Sequence, residues 1–105
     1  MAQPGAPLKL LLICPWIVKL ARLQQSLQAY DLAAQIVRVD FDAALRAAAM
    51  HHHFDAAFYT PTPSLSREVA VAMLREHAPK LVLVEVDSLE QIAPRLAALV
   101  AARRS

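Results

Sequence analysis

The side chains of this chain that could do chemistry are few, and they fall at the ends of apolar runs. Cys14 follows Leu8–Ile13, Asp40 follows Val39, Thr60 follows Phe54–Tyr59, and Asp87 follows Val86. A thiol at a strand end is where a cysteine nucleophile would sit. Such a nucleophile needs a loop of several backbone N–H groups and a nearby cation to hold an anion. The loop here, Cys14-Pro15-Trp16-Ile17-Val18-Lys19-Leu20, has a proline, no glycine and no arginine. A buried structural cysteine is the simpler reading.

The remaining candidates also have plainer explanations. Thr60 and Thr62 each precede a proline, a context kinases use, but threonine before proline more often shapes a turn. Asp40 and Asp87 could hold a cation, yet helix N-capping accounts for both. His51-His52-His53 has the right atoms for a metal. Adjacent helical residues point about 100° apart, so three in a row do not converge on one ion. A solvated helix end suits them better, because histidine there complements the helix dipole. His77 belongs to another element. No metal and no cofactor is expected.

The elements that must position these residues alternate regularly. Residues 1–7 form a lead-in, and residues 8–105 form one domain. Leu8–Ile13 is apolar almost throughout, as a strand buried on both faces should be. From Trp16 to Tyr30, apolar residues at 20, 23, 27 and 30 make a helical stripe. Gln35–Val39 reads as a second strand, and Asp40 or Phe41 opens an alanine-rich helix to about Met50. Phe54–Tyr59 is a third strand. Thr60-Pro61-Thr62-Pro63 is a rigid loop, since two prolines remove two donors. Leu65–His77 is a third helix with Val69, Met73 and Ala72 facing inward, and Lys80–Val86 is a fourth strand. Ser88-x-x-Gln91 has capping-box spacing, although Pro94 favours a later start with proline in the first turn. Ile92, Leu96, Leu99 and Val100 then face the sheet.

This β-α alternation predicts a three-layer α/β domain: a parallel sheet of four to five strands with helices on both faces and right-handed crossovers. Function in such sheets gathers at the carboxyl ends of the strands, where the strand order reverses.

Composition removes several classes. The chain has 105 residues, 57% of them hydrophobic and 19% charged, enough for one core. A formal charge of +2, with no basic stripe interleaved with its aromatics, does not point to nucleic acid. Arg103-Arg104 reads as a solvated helix end. Gly5 is the only glycine, so glycine-rich phosphate loops are excluded. One cysteine forms no internal disulfide, which fits a cytoplasmic setting. The uncharged first eight residues do not read as a signal peptide. No stretch reaches the roughly 18 apolar residues of a membrane span.

These segments together resemble the receiver domain of bacterial response regulators, a flavodoxin-like fold, over nearly the whole chain from Leu8. Leu8–Ile13 is similar to that family's first strand, and Val39–Ala48 to the end of its second strand and its second helix. Phe54-Asp55-Ala56-Ala57-Phe58 resembles the entry to the third strand, and Asp87–Ile92 the start of the last helix.

The resemblance implies a phosphate-accepting aspartate at position 60, where this chain has threonine. It implies two acidic Mg²⁺ ligands after the first strand, where this chain has Cys14 and Pro15. The family's Ser/Thr switch position aligns with Asp87. Its Lys-Pro after the fifth strand has no clean equivalent; Lys80–Val86 is either the fourth strand with the fifth missing or the fifth after a deletion. The chain is one βα unit short either way.

Aspartyl phosphorylation needs a carboxylate, hard oxygen ligands for a divalent cation, and a cation facing the phosphoryl group. Proline offers no ligand, thiol is soft, and threonine forms no acyl phosphate. The expectation is a degenerate receiver: a non-catalytic signalling module acting through a protein partner or a homodimer. Its anticipated contact face is Trp16, Ile92, Leu96, Leu99 and Val100, with Trp16 either packing at the site mouth or anchoring a partner. The competing expectation is a cysteine-dependent phosphoryl carrier or phosphatase-like enzyme using Cys14.

Overall fold

The computed structural model describes residues 8–15 and 20–104. Its order is β1 (Leu8–Ile13), α1 (Ala21–Ala29), β2 (Ala34–Val39), α2 (Asp42–His51), β3 (Ala56–Tyr59), α3 (Arg67–His77), β4 (Leu83–Glu85) and α4 (Ile92–Arg104), with a 3₁₀ turn over Leu89–Gln91. The strands form one parallel sheet in the order β2-β1-β3-β4. The expected three-layer parallel α/β architecture is therefore observed, with four strands among the described residues.

Side-chain alternation along β1 and β3 divides the core into two halves. Leu11, Ile13, Ala57 and Tyr59 face α2 and α3, meeting Leu45, Ala48, Ala70, Met73 and Leu74. Leu10, Leu12, Cys14, Ala56 and Phe58 face α1 and α4, meeting Leu23, Leu27, Ile92, Ala93 and Leu96. Both strands are covered on both sides, which is why their sequences are apolar without alternation. β4 lies beside β3, and α4 then crosses back to the α1 face.

The chain's glycine shortage shows at the end of α1. Asp31 takes the left-handed conformation with φ 59°, where glycine is usual. The Asp31 N–H donates to Gln28 O, and the Leu32 N–H to Leu27 O at 2.8 Å. Leu27 and Leu32 belong to the same half of the core. This is a complete Schellman stop, closed by an aspartate.

Several boundaries differ from expectation. β3 begins at Ala56, and Asp55 just before it is tied to β1 twice: its N–H donates to Lys9 O and its Oδ2 accepts from the Lys9 N–H, each at 2.8 Å. α2 begins at Asp42 with Phe41 at its N-cap, so Asp40 is not the cap. α3 begins at Arg67, and Ser66 Oγ accepts from the Val69 N–H at 3.2 Å. That cap rotates the helix so that Ala70, Met73 and Leu74 are buried; Val69 is 45% exposed and Ala72 is exposed. β4 spans three residues rather than seven. α4 begins at Ile92, and Pro94 lies in its first turn, where its missing N–H costs nothing. Ser88 flanks the preceding turn without a side-chain cap, whereas Gln91 Oε1 accepts from the Asp87 N–H at 2.8 Å. Half of the capping box forms, displaced by one residue.

Candidate functional site

The strand order reverses between β1 and β3, and both end at the same edge of the sheet. Cys14 and Pro15 follow β1, and Thr60 and Pro61 follow β3. A cleft of about 460 Å³ opens there, lined by Pro15, Arg22, Leu23, Ser26, Thr60, Pro61 and the segment from Asp87 to Glu90. The structure thus gathers three of the predicted positions, Pro15, Thr60 and Asp87, around one cavity. Asp40 stands outside this lining but acts electrostatically on Cys14.

Thr60 is 7% exposed. Its N–H donates to Ile13 O at 2.9 Å, and its Oγ1 donates to the same carbonyl at 3.1 Å. The second bond uses the hydroxyl proton to complete the β1–β3 ladder where the strands end. The hydroxyl is therefore a structural cap on the sheet. Thr62 is also buried, at 8%, which removes it from the surface where a kinase would find it. Its Oγ1 has no hydrogen-bond partner among the described residues. The Thr60–Pro63 loop is pinned further on, where the Tyr59 hydroxyl donates to Leu65 O at 2.8 Å.

Cys14 is fully buried in the α1–α4 half of the core. Burial pushes its thiol up from the ordinary cysteine range. The Arg38 guanidinium opposes this through its charge and a hydrogen bond, and Asp40 adds to the rise. Arg38 reaches this place by register: it pairs with Leu12 in the β1–β2 ladder, and alternation puts Leu12, Cys14 and Arg38 on one face. Sequence reasoning missed Arg38: it is the lone charge in the strand Ala-Gln-Ile-Val-Arg-Val, but nothing local ties it to Cys14. It also missed Arg22 and Ser26, which line the cleft from one face of α1 at i, i+4 spacing.

The proposed contact face is only partly at the surface. Ile92 is 0% and Leu96 2% exposed, so both are core residues. They were misplaced because an Ala/Leu stripe that faces a sheet cannot also face a partner. Leu99 is 39% exposed, and Val100 packs partly against the core. Trp16 lies outside the described residues.

At the opposite end of the sheet, Lys9 Nζ donates to His52 Nδ1 at 2.7 Å, and Arg103 Nη2 donates to Asp55 O at 2.8 Å. Among the described residues, no three or more His, Cys, Asp or Glu side chains group as a metal site would require. No helix among them is long and apolar enough to cross a membrane. No family model and no curated protein matches this chain.

Proposed function

We propose that this domain is a regulatory interaction module built like a receiver but working without aspartyl phosphorylation, its output being association with a protein partner or a second copy. The observation that carries this reading is Thr60. It occupies the position beside the β1–β3 switch point where the cleft opens, and its hydroxyl is committed to Ile13 O. Beside it, Cys14 and Pro15 supply no hard oxygen side chain. The cleft's carboxylates, Asp87 and Glu90, come from the segment after β4 and not from the end of β1.

The test is incubation of the full chain with acetyl phosphate and Mg²⁺, followed by intact mass measurement and light scattering. The reading expects no added phosphoryl mass and the same association state with and without the reagents. A phosphoryl adduct abolished by Thr60→Ala or Cys14→Ala would overturn it.

One observation favours the second reading, a thiol-based enzyme: Arg38 beside Cys14 is the kind of cation that stabilises a thiolate. Burial acts in the opposite direction and dominates. Alkylation separates the two readings. A catalytic Cys14 reacts rapidly in the native protein at neutral pH, and a structural one reacts only as the protein opens.

A further inference from the structure

We infer that Lys9 is a self-acylating lysine, with His52 as its base and a small activated acyl donor, such as an acyl phosphate, as its co-substrate. The inference goes beyond the regulatory reading and does not depend on it, because this pair stands at the end of the sheet opposite the cleft.

The geometry is that of an amine already in contact with a base. Lys9 Nζ lies 2.7 Å from His52 Nδ1, within the range over which a base takes a proton. An ammonium has donors only, so the imidazole accepts at Nδ1 and is neutral in this contact. No carboxylate forms an ion pair with Lys9 Nζ among the described residues. Asp55, the acidic residue tied to Lys9, spends one carboxylate oxygen on the Lys9 main-chain N–H and turns the other to Arg103. The side-chain amine is thus paired with a base and not with an anion that would hold it as ammonium.

Both partners are held in place. Alternation puts Lys9 on the β1 face of Leu11 and Ile13, which packs on α2, and His52 closes α2 by donating its N–H to Ala48 O at 3.0 Å. The His52 ring also stands against Phe54, with ring centroids 5.8 Å apart. Lys9 and His52 are each partly exposed, and a groove of about 920 Å³ opens beside His52, Phe54 and Asp55, giving a donor room to approach.

In the step itself, the neutral Lys9 amine attacks the donor's carbonyl carbon with its lone pair while one N–H stays on His52 Nδ1. A C–N bond forms, and His52 takes that proton from the tetrahedral adduct. The C–O bond to phosphate then breaks, and phosphate leaves with the electron pair. His52 returns its proton to solvent. The product is a neutral amide at Lys9.

The test is incubation of the full chain with acetyl phosphate at neutral pH without added Mg²⁺, with acetylation followed at each lysine by peptide mass mapping. Lys80 is the internal reference: it is more exposed than Lys9 and makes no hydrogen bond to an imidazole among the described residues. Access alone would favour Lys80. The expected result is that Lys9 gains acetyl faster than Lys80 by roughly tenfold or more, a fraction of what a positioned base can supply. His52→Gln keeps an acceptor near Nζ but removes the base; it brings Lys9 down to the rate of Lys80 or below and leaves Lys80 unchanged. In denaturant the two lysines react alike, and that comparison remains a readout if His52→Gln does not fold. A native Lys9 no faster than Lys80 would overturn the inference. So would a preference that survives His52→Gln or unfolding. Acetyl and phosphoryl gains differ in mass, so the regulatory reading stands or falls separately.

Discussion

At the scale of single residues, Thr60 and Cys14 are both committed to packing. Thr60→Val removes the bond from Oγ1 to Ile13 O but leaves the Thr60 N–H bond to the same carbonyl, so it should cost only about 0.5–1.5 kcal/mol in chemical denaturation. Thr60→Asp should cost more, about 1–3 kcal/mol or above, because it buries a carboxylate facing that carbonyl oxygen; it should gain no phosphorylation. Cys14 makes a prediction about pH. Its folded pKa lies above the unfolded one, so folding favours the neutral thiol. That contribution is complete at neutral pH and is lost as pH rises through the folded value. The stability of the native protein should thus fall more steeply above about pH 8.5 than that of Cys14→Ala, measured by denaturant midpoints across alkaline pH. The site was half legible in the sequence. Cys14, Pro15, Thr60 and Asp87 announced themselves by ending apolar runs. Arg38 did not, because only the β1–β2 register brings it to Cys14.

At the scale of elements, the accuracy of the sequence reading followed how completely each element is buried. β1 and β3 were recognisable because both their faces are covered, which leaves apolar residues at every position but Lys9. β4 was read as seven residues from its apolar run, but pairing stops at three, since an edge strand has a partner on one side only. The inward face of α3 was misread because the apolar spacing of Val69 and Met73 competes with that of Ala70, Met73 and Leu74. The Ser66 cap settles the rotation, and only coordinates display it. Ser66→Ala should cost about 1 kcal/mol. For α4, Leu96→Ala should cost about 2–5 kcal/mol and Leu99→Ala clearly less, which checks that its Ala/Leu stripe is core and not a docking face. Asp31→Gly should be neutral or stabilising by up to about 1 kcal/mol, because glycine adopts φ 59° without penalty. Thermal or denaturant unfolding reads all four substitutions.

At the scale of the whole molecule, the groups where the strand order of this parallel α/β sheet reverses serve packing. Cys14 fills the α1–α4 core, Thr60 closes the β1–β3 ladder, and α4 returns to cover the α1 face. The sheet consequently ends at β4, with main-chain groups turned outward. Sequence alone made the alternation and the parallel sheet legible, since period and length are local properties. Which strand stands at the edge is a property of topology. The most direct test of the central claim is an amide NMR titration of the full chain with beryllofluoride and Mg²⁺, following Ile13, Cys14, Thr60 and Asp87. Beryllofluoride mimics a phosphoryl group on a carboxylate, and this account predicts no saturable shifts at those four amides. Saturable, Mg²⁺-dependent shifts centred on Thr60 would contradict it.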